Sequence, residues 1–211
     1  MKTSWSFSSL LNYEKCPHTQ TFPYKERNSE QAERGIQVHS SIEAYVLGQT
    51  IECPFPNLPF GELLNGSRTL SVEEKWGFDR DWEPTDYKSA WLRIKADTVA
   101  ADKNLVTVID YKTGKRSGNE IKHGQQTLLY MIGAACRYPT VDYFTSELWY
   151  VDHDLVYPSQ EYSRDQLMKA KERWDKRGRI MTAATSFPPK PSRSNCKYCD
   201  FKLECEFAFE E

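Results

Sequence analysis

Two groups of residues in this chain have the types and spacing to do chemistry. The first is thiol-rich: Cys196-x2-Cys199-x5-Cys205 sits in a polar, basic tail from Lys190 to Lys202, and Cys16-Pro17 stands 180 positions before Cys196. Thiolates gathered this densely hold a metal or a cluster, although unpaired thiols also serve as small hydrophobes. A zinc site of four cysteines normally comes as two close pairs, whereas iron–sulfur clusters accept varied spacings. Spacing alone does not choose between them. Cys53 and Cys136 have no such neighbours and read as structural.

The second group is acidic. Asp97 is followed by Asp110-Tyr111-Lys112 at the end of a mostly apolar run that includes Val106, Val108 and Ile109. Alternation along a strand puts Asp110 and Lys112 on one face. A hairpin turning at Asp102-Lys103 sets Asp97 opposite Val108 and adds it to that face. An aspartate ending an apolar strand is costly unless solvated or bound to a cation, and oxygen ligands of this kind suit Mg²⁺ or Mn²⁺. The same residues also fit a surface ion pair beside a turn. Gly35-x3-His39 places a histidine on the inner face of a helix, one turn from Glu43, and Gln126-x3-Tyr130 places an amide and a phenol one turn apart. Each of these pairs is ordinary in a packed core.

Ser6 is a cap for a short helix through Leu10, Leu11 and Tyr13 that ends near Cys16-Pro17. A second helix starts near Asn28 or Ser29, carries Ala32, Gly35, Ile36, Ile42 and Val46 at helical spacing, and stops at Gly48. Residues 52–66, with Pro54, Pro56, Pro59 and Gly61, read as a loop. From Leu70 to Ile109 the pattern is strand-like, with Ile94–Ala100 and Leu105–Lys112 flanking a turn at residues 101–104. Ile121–Arg137 reads as a helix and Tyr143–Val151 as a strand; a Ser163-x-x-Gln166 capping box then opens a helix to about Thr182. Phe187-Pro188-Pro189-Lys190-Pro191 ends it and leads into the cysteine tail.

The 211 residues fit one domain, or one with an appendage, and 39% apolar content with 13% aromatics supports a sizeable core. The net charge of −2 gives no overall attraction for nucleic acid, so any basic surface is local. No run of about 18 apolar residues predicts a membrane span, and Met1 to Ser6 lacks the apolar stretch of a signal peptide. These features predict a reducing cytoplasm, where clustered cysteines are metal ligands rather than disulfides. Thr113-Gly114-Lys115 lacks the earlier glycine of a phosphate-binding loop, so any helicase motor is expected to be a separate protein.

Taken in order, Gly35-x3-His39, Asp97, Asp110-Tyr111-Lys112 and Gln126-x3-Tyr130 resemble the RecB-type branch of the PD-(D/E)XK nuclease superfamily. Cys16-Pro17 and the C-terminal cysteines resemble its iron–sulfur members, among them the CRISPR-associated adaptation nuclease, the AddB nuclease domain and stand-alone phage or prokaryotic exonucleases. The resemblance implies an α/β, restriction-endonuclease-like core, a mixed β-sheet flanked by helices. It implies a single nuclease domain over residues 1–211, with 1–27 and 188–211 forming a cluster region that covers Phe201 and Leu203. By carry-over, His39, Asp97, Asp110 and the backbone carbonyl of Tyr111 bind Mg²⁺ or Mn²⁺. Lys112 orients the attacking water or stabilises the transition state, and Gln126 and Tyr130 position DNA or support the metal shell. Cys16, Cys196, Cys199 and Cys205 hold a 4Fe–4S cluster that staples the N-terminal helix to the C-terminal tail. The implied activity is metal-dependent hydrolysis of DNA phosphodiester bonds, as a single-stranded DNA exonuclease working 5′ to 3′, in a prokaryotic or phage-infected cytoplasm and away from membranes. Two alternatives stay open: a non-catalytic, zinc-binding nucleic-acid module, and a DNA-trimming subunit active only with CRISPR-adaptation or recombination proteins.

Overall fold

A computed structural model describes residues 3–23 and 29–210. Asn28, one of the two starts expected for the second helix, lies outside them. The described elements run α1 (Phe7–Lys15), α2 (Glu30–Val46), α3 (Phe60–Asn65), β1 (Thr69–Phe78), β2 (Pro84–Thr85), β3 (Leu92–Ala101), β4 (Leu105–Lys112), α4 (Glu120–Arg137), β5 (Tyr143–Tyr150), β6 (Leu155–Pro158), β7 (Tyr162–Ser163), α5 (Arg164–Ala183) and α6 (Arg193–Cys196). Side chains set the helix starts. Ser6 and Ser163 form reciprocal capping boxes with Ser9 and Gln166, and the Ser29 hydroxyl accepts the Ala32 N–H.

The strands form one mixed sheet in the order β2-β1-β3-β4-β5-β6, with β7 also on β5. All pairings are antiparallel except β4 with β5, which α4 connects. Helices cover both faces. Phe7 and Leu10 of α1, Leu129 and Ile132 of α4, and Trp174 of α5 close the first core over Trp76, Ile94 and Val108. Val38 and Ile42 of α2 and Phe60 and Leu63 of α3 close the second over Ala100, Ile109, Tyr111 and Trp149.

Two expectations need correction. Residues 52–66 are not all loop, because Phe60 and Leu63, three apart and both buried, anchor the short α3. The β3–β4 register also differs: Val108 faces Val99, and the pairs continue to Thr98 with Ile109. The Asp102 carboxylate accepts the N–H groups of Asn104 (2.7 Å) and Leu105 (2.9 Å), so the chain reverses about Lys103-Asn104, one step later than expected.

The segment before α1 is fastened as an extra edge. Trp5 N–H donates to the Trp91 carbonyl at 2.7 Å, and the Trp5 carbonyl accepts the Arg93 N–H at 2.9 Å. Its ring sits edge-on to Trp91 and Trp82, 5.5 and 6.2 Å away, under Gly178 of α5. A Cβ at Gly178 would lie 2.5 Å from Trp5 Nε1. Gly178→Ala is therefore expected to destabilise by about 1–3 kcal/mol, more than the ~1 kcal/mol that alanine gains in a helix. Urea denaturation checks this, and an unchanged midpoint would show that the indole yields.

Candidate active site

The site forms where β3 and β4 part. One step beyond the last ladder pair, Asp97 Oδ2 accepts the Tyr111 N–H at 2.9 Å in place of a backbone carbonyl. Here β3 also exchanges its faces: Ile94 and Ala96 pack into the first core, but Ala100 packs into the second. Opposite, Glu73 of β1 lies between the pairs Val72–Thr98 and Glu74–Ala96 with a φ of 51°. A non-glycine residue in the left-handed region is strained, and such strain gathers at functional positions. The distortion turns the Glu73 carboxylate towards α2.

From α2, His39 projects between the buried Val38 and the cleft. Its Nδ1 is 3.3 Å from Asp97 Oδ1 and 3.7 Å from Glu73 Oε1. Burial opposes a charge on this ring, but Asp97, Asp110 and Glu73 outweigh it and raise the His39 pKa. Among the described residues, His39, Glu73 and Asp97 bring one ligand atom each within 4.8 Å of one another. The cleft in front of His39 and Glu73, about 410 Å³, is lined by Gly35, Ile36, Ser40, Glu43 and Lys95 as well. A Cβ on Gly35 would meet only Thr113 Oγ1, at 3.7 Å, so packing does not demand glycine there.

Asp110 stands outside that trio, on the α4 side of the sheet, and is 1% exposed. Burial pushes its carboxyl up to about 6; the Lys112 ammonium pulls the other way and the Asp97 charge adds to the rise. Lys112 Nζ lies 2.5 Å from Asp110 Oδ2, a buried ion pair that limits the rise of the carboxyl. Lys112 also donates to Gln126 Oε1 at 3.0 Å, and Gln126 Nε2 donates to the Tyr130 hydroxyl at 2.8 Å. Burial pushes the Tyr130 phenol up, which keeps it neutral. Gln126 and Tyr130 thus form a chain that fixes the lysine head. His123, on the same helix, is lowered to about 4 by burial and by Lys112 and Lys122, so it stays neutral.

These residues fit a hard divalent cation. The donors are carboxylate oxygens and one imidazole, and the cleft before His39 and Glu73 is open. The sequence reading placed His39, Asp97, Asp110 and Lys112 in one site, and the structure brings them together around the β3–β4 parting. It missed Glu73, which no glycine or motif marks.

The cysteines meet at the other end of the molecule. Cys16, Cys196, Cys199 and Cys205 line one cavity with His18, Phe22 and Phe201. Lys190 N–H donates to Cys16 Sγ at 3.3 Å, and Phe209 N–H donates to Cys196 Sγ at 3.4 Å, an interaction that lowers the Cys196 pKa. Asn195 Nδ2 ties the tail to the Lys15 carbonyl at 3.0 Å. Phe201 stacks on Phe22 with ring centres 4.6 Å apart. Leu203, expected to be covered, is fully exposed because its turn points outward.

Known proteins were compared with this arrangement. No curated protein matches the chain. The solved structures similar to it include SSO0001, at 16% identity over 100% of this chain and 89% of that one, with a TM-score of 0.49. An alkaline exonuclease from Laribacter hongkongensis (LHK-Exo) aligns at 11% identity over 86% of this chain and 87% of its own, with a TM-score of 0.39. Its complex with dAMP aligns at 12% identity over 86% and 85%, with the same TM-score. A family model described as the PD-(D/E)XK nuclease superfamily matches residues 58–206, which include Glu73, Asp97, Asp110, Lys112 and the three C-terminal cysteines. With that match over most of its length, the chain belongs to the PD-(D/E)XK nuclease superfamily.

Proposed function

We propose that this protein is a divalent-metal-dependent DNA nuclease that hydrolyses phosphodiester bonds, acting as a single-stranded DNA exonuclease from the 5′ end. The observation that carries the reading is the His39–Glu73–Asp97 trio, with the buried Asp110–Lys112 ion pair near enough for the Asp110 charge to act on His39. His39, Glu73, Asp97, Asp110 and the Tyr111 carbonyl are the residues that would hold Mg²⁺ or Mn²⁺. A cation held there would supply Lewis acidity to water and would offset charge on the attacked phosphate. Lys112, held by Gln126 and Tyr130, presents an ammonium to the same phosphate.

The whole chain is read as one nuclease domain in which residues 1–27 and 188–211 form the cluster region. The four cysteines are proposed to hold a structural 4Fe–4S cluster. All four cysteines line one cavity, which supports a single shared centre between the end of α1 and the tail. The Phe209 N–H bond to Cys196 Sγ lowers that thiol's pKa and favours its thiolate.

End-labelled and circular single-stranded DNA, digested with Mn²⁺, test the activity. The 5′-labelled linear strand is expected to shorten, the closed circle to persist, and blunt duplex to react at least tenfold more slowly. Cleavage in excess EDTA would contradict the metal requirement; equal rates on duplex and single strands would contradict the substrate.

A further inference from the structure

Lys95 lies on β3 two residues before Asp97 and makes an ion pair with Glu73 Oε2, while Glu73 Oε1 faces His39 at 3.7 Å. One carboxylate is thus divided between two cationic positions: an oxygen for the His39–Glu73–Asp97 trio and an oxygen for an ammonium. Two-metal sites use a carboxylate in the same way, sharing it between ions about 3.5–4 Å apart. Glu43, one helical turn after His39, lines the same cleft, and its charge acts on Lys95 together with those of Glu73 and Asp97. The ammonium therefore stands among the acidic groups that would complete a second cation site.

Charge balance points the same way. Glu43, Glu73, Asp97 and Asp110 bring four negative charges, and Lys95 and Lys112 bring two positive ones. A single divalent ion neutralises what is left. Without Lys95 the carboxylates keep an excess that one such ion does not cover, and the cleft has room for another. Lys95 is also the more displaceable of the two lysines, with a side chain 52% exposed against 17% for Lys112.

We propose that Lys95 occupies the second-cation position of this site, so that the protein takes one divalent ion per chain and removal of the ammonium lets it take two. The proposal rests on the divalent-metal reading given above. Lys95 is a positioning residue here: it holds Glu73 and fixes the ion count.

Mn²⁺ binding to the intact protein, measured by equilibrium dialysis with electron paramagnetic resonance of the bound ion, decides the matter. Manganese prefers oxygen and imidazole to the thiols of the cysteine region. One bound Mn²⁺ with an isolated-ion spectrum is expected for the unaltered chain and for Lys95→Arg. Lys95→Ala is expected to bind two, with the broadened spectrum of a spin-coupled pair. Lys95→Met, which keeps the aliphatic stem, gives the same reading where the alanine variant does not fold. Two ions in the unaltered protein, or one in the variants lacking the charge, would overturn the proposal while leaving the nuclease reading intact. No Mn²⁺ bound to the unaltered protein would overturn both, and this failure is distinct from the others.

Discussion

Asp110→Asn is expected to abolish cleavage and, in protein freed of divalent cations by EDTA, to raise the melting temperature. The two effects share one cause. Asp110 is almost wholly buried, and burial pushes its carboxyl up to about 6 in spite of Lys112. In the unfolded chain the group titrates at about 3.9. Between these values the native state keeps a proton that the unfolded state releases, so the cation-free fold loses stability as pH rises from about 4 through 6. Above that range the penalty is complete, on the order of 2–3 kcal/mol. Asparagine keeps the shape without the charge, and Lys112 keeps its bond to Gln126. At pH 7 to 8 the gain should appear as several degrees, at about 2–4 °C per kcal/mol for a chain of this size. Loss of the proposed metal ligand and its share of phosphate stabilisation should meanwhile lower the rate by about 10³-fold or more. Calorimetry from pH 4.5 to 8 and a gel assay read both effects. A variant that melts lower than the parent at pH 8, or still cleaves, would refute the assignment.

Cys199→Ala should have the largest effect on stability. Cys199 sits in the turn that follows α6, where its N–H bonds to the Cys196 carbonyl. Its loss removes one thiol from a cavity that joins the end of α1 to the tail. A link closing so long a loop constrains the unfolded chain by about 4–5 kcal/mol when treated as a covalent cross-link, and a structural metal adds its own binding energy to folding. The brown chromophore is expected to vanish, the melting temperature to fall by about 10 °C or more, and solubility to drop as Phe201 separates from Phe22. Visible absorbance with iron and sulfide analysis, alongside calorimetry, gives the answer. A colourless variant that keeps its melting temperature yet does not cleave would move the cluster from a structural to a direct role.

Legibility followed local chemistry. The capping boxes at Ser6 and Ser163 decide helix starts within four residues, and the first member and partner of each are readable; so are the strand–turn–strand run ending in Asp110 and the α4 pair Gln126–Tyr130. The register was misread by two because the Asp102 carboxylate takes two N–H groups, a choice between neighbouring turns that composition does not settle. Asp110 and Lys112 share β4 and stay on one face whatever the register, whereas Asp97 joins His39 and Glu73 because β3 exchanges its faces there. Glu73 was out of reach. Ser71-Val72-Glu73-Glu74-Lys75 reads as a solvated strand, and its left-handed backbone arises only once β1 pairs with a β3 that exchanges faces at Asp97. The α3 helix was hidden for a related reason: six residues beginning after Pro59 gain their helical form from a core assembled elsewhere.

The bonds between α1 and the tail also set an order in time. Lys190 meets Cys16 and Glu14 across 174 and 176 positions, and Asn195 meets Lys15 across 180. Synthesis runs in one direction, so Cys16 waits for the 174 positions up to Lys190 before its partner exists. The β3–β4 hairpin, with its four-residue reversal, needs no such delay and is the kind of local contact that forms early. The hydrolytic centre and the joining of the two ends therefore belong to different stages of the molecule's life. There is thus an interval in which the sheet can already be built while Cys16 still stands apart from the cysteines of the tail.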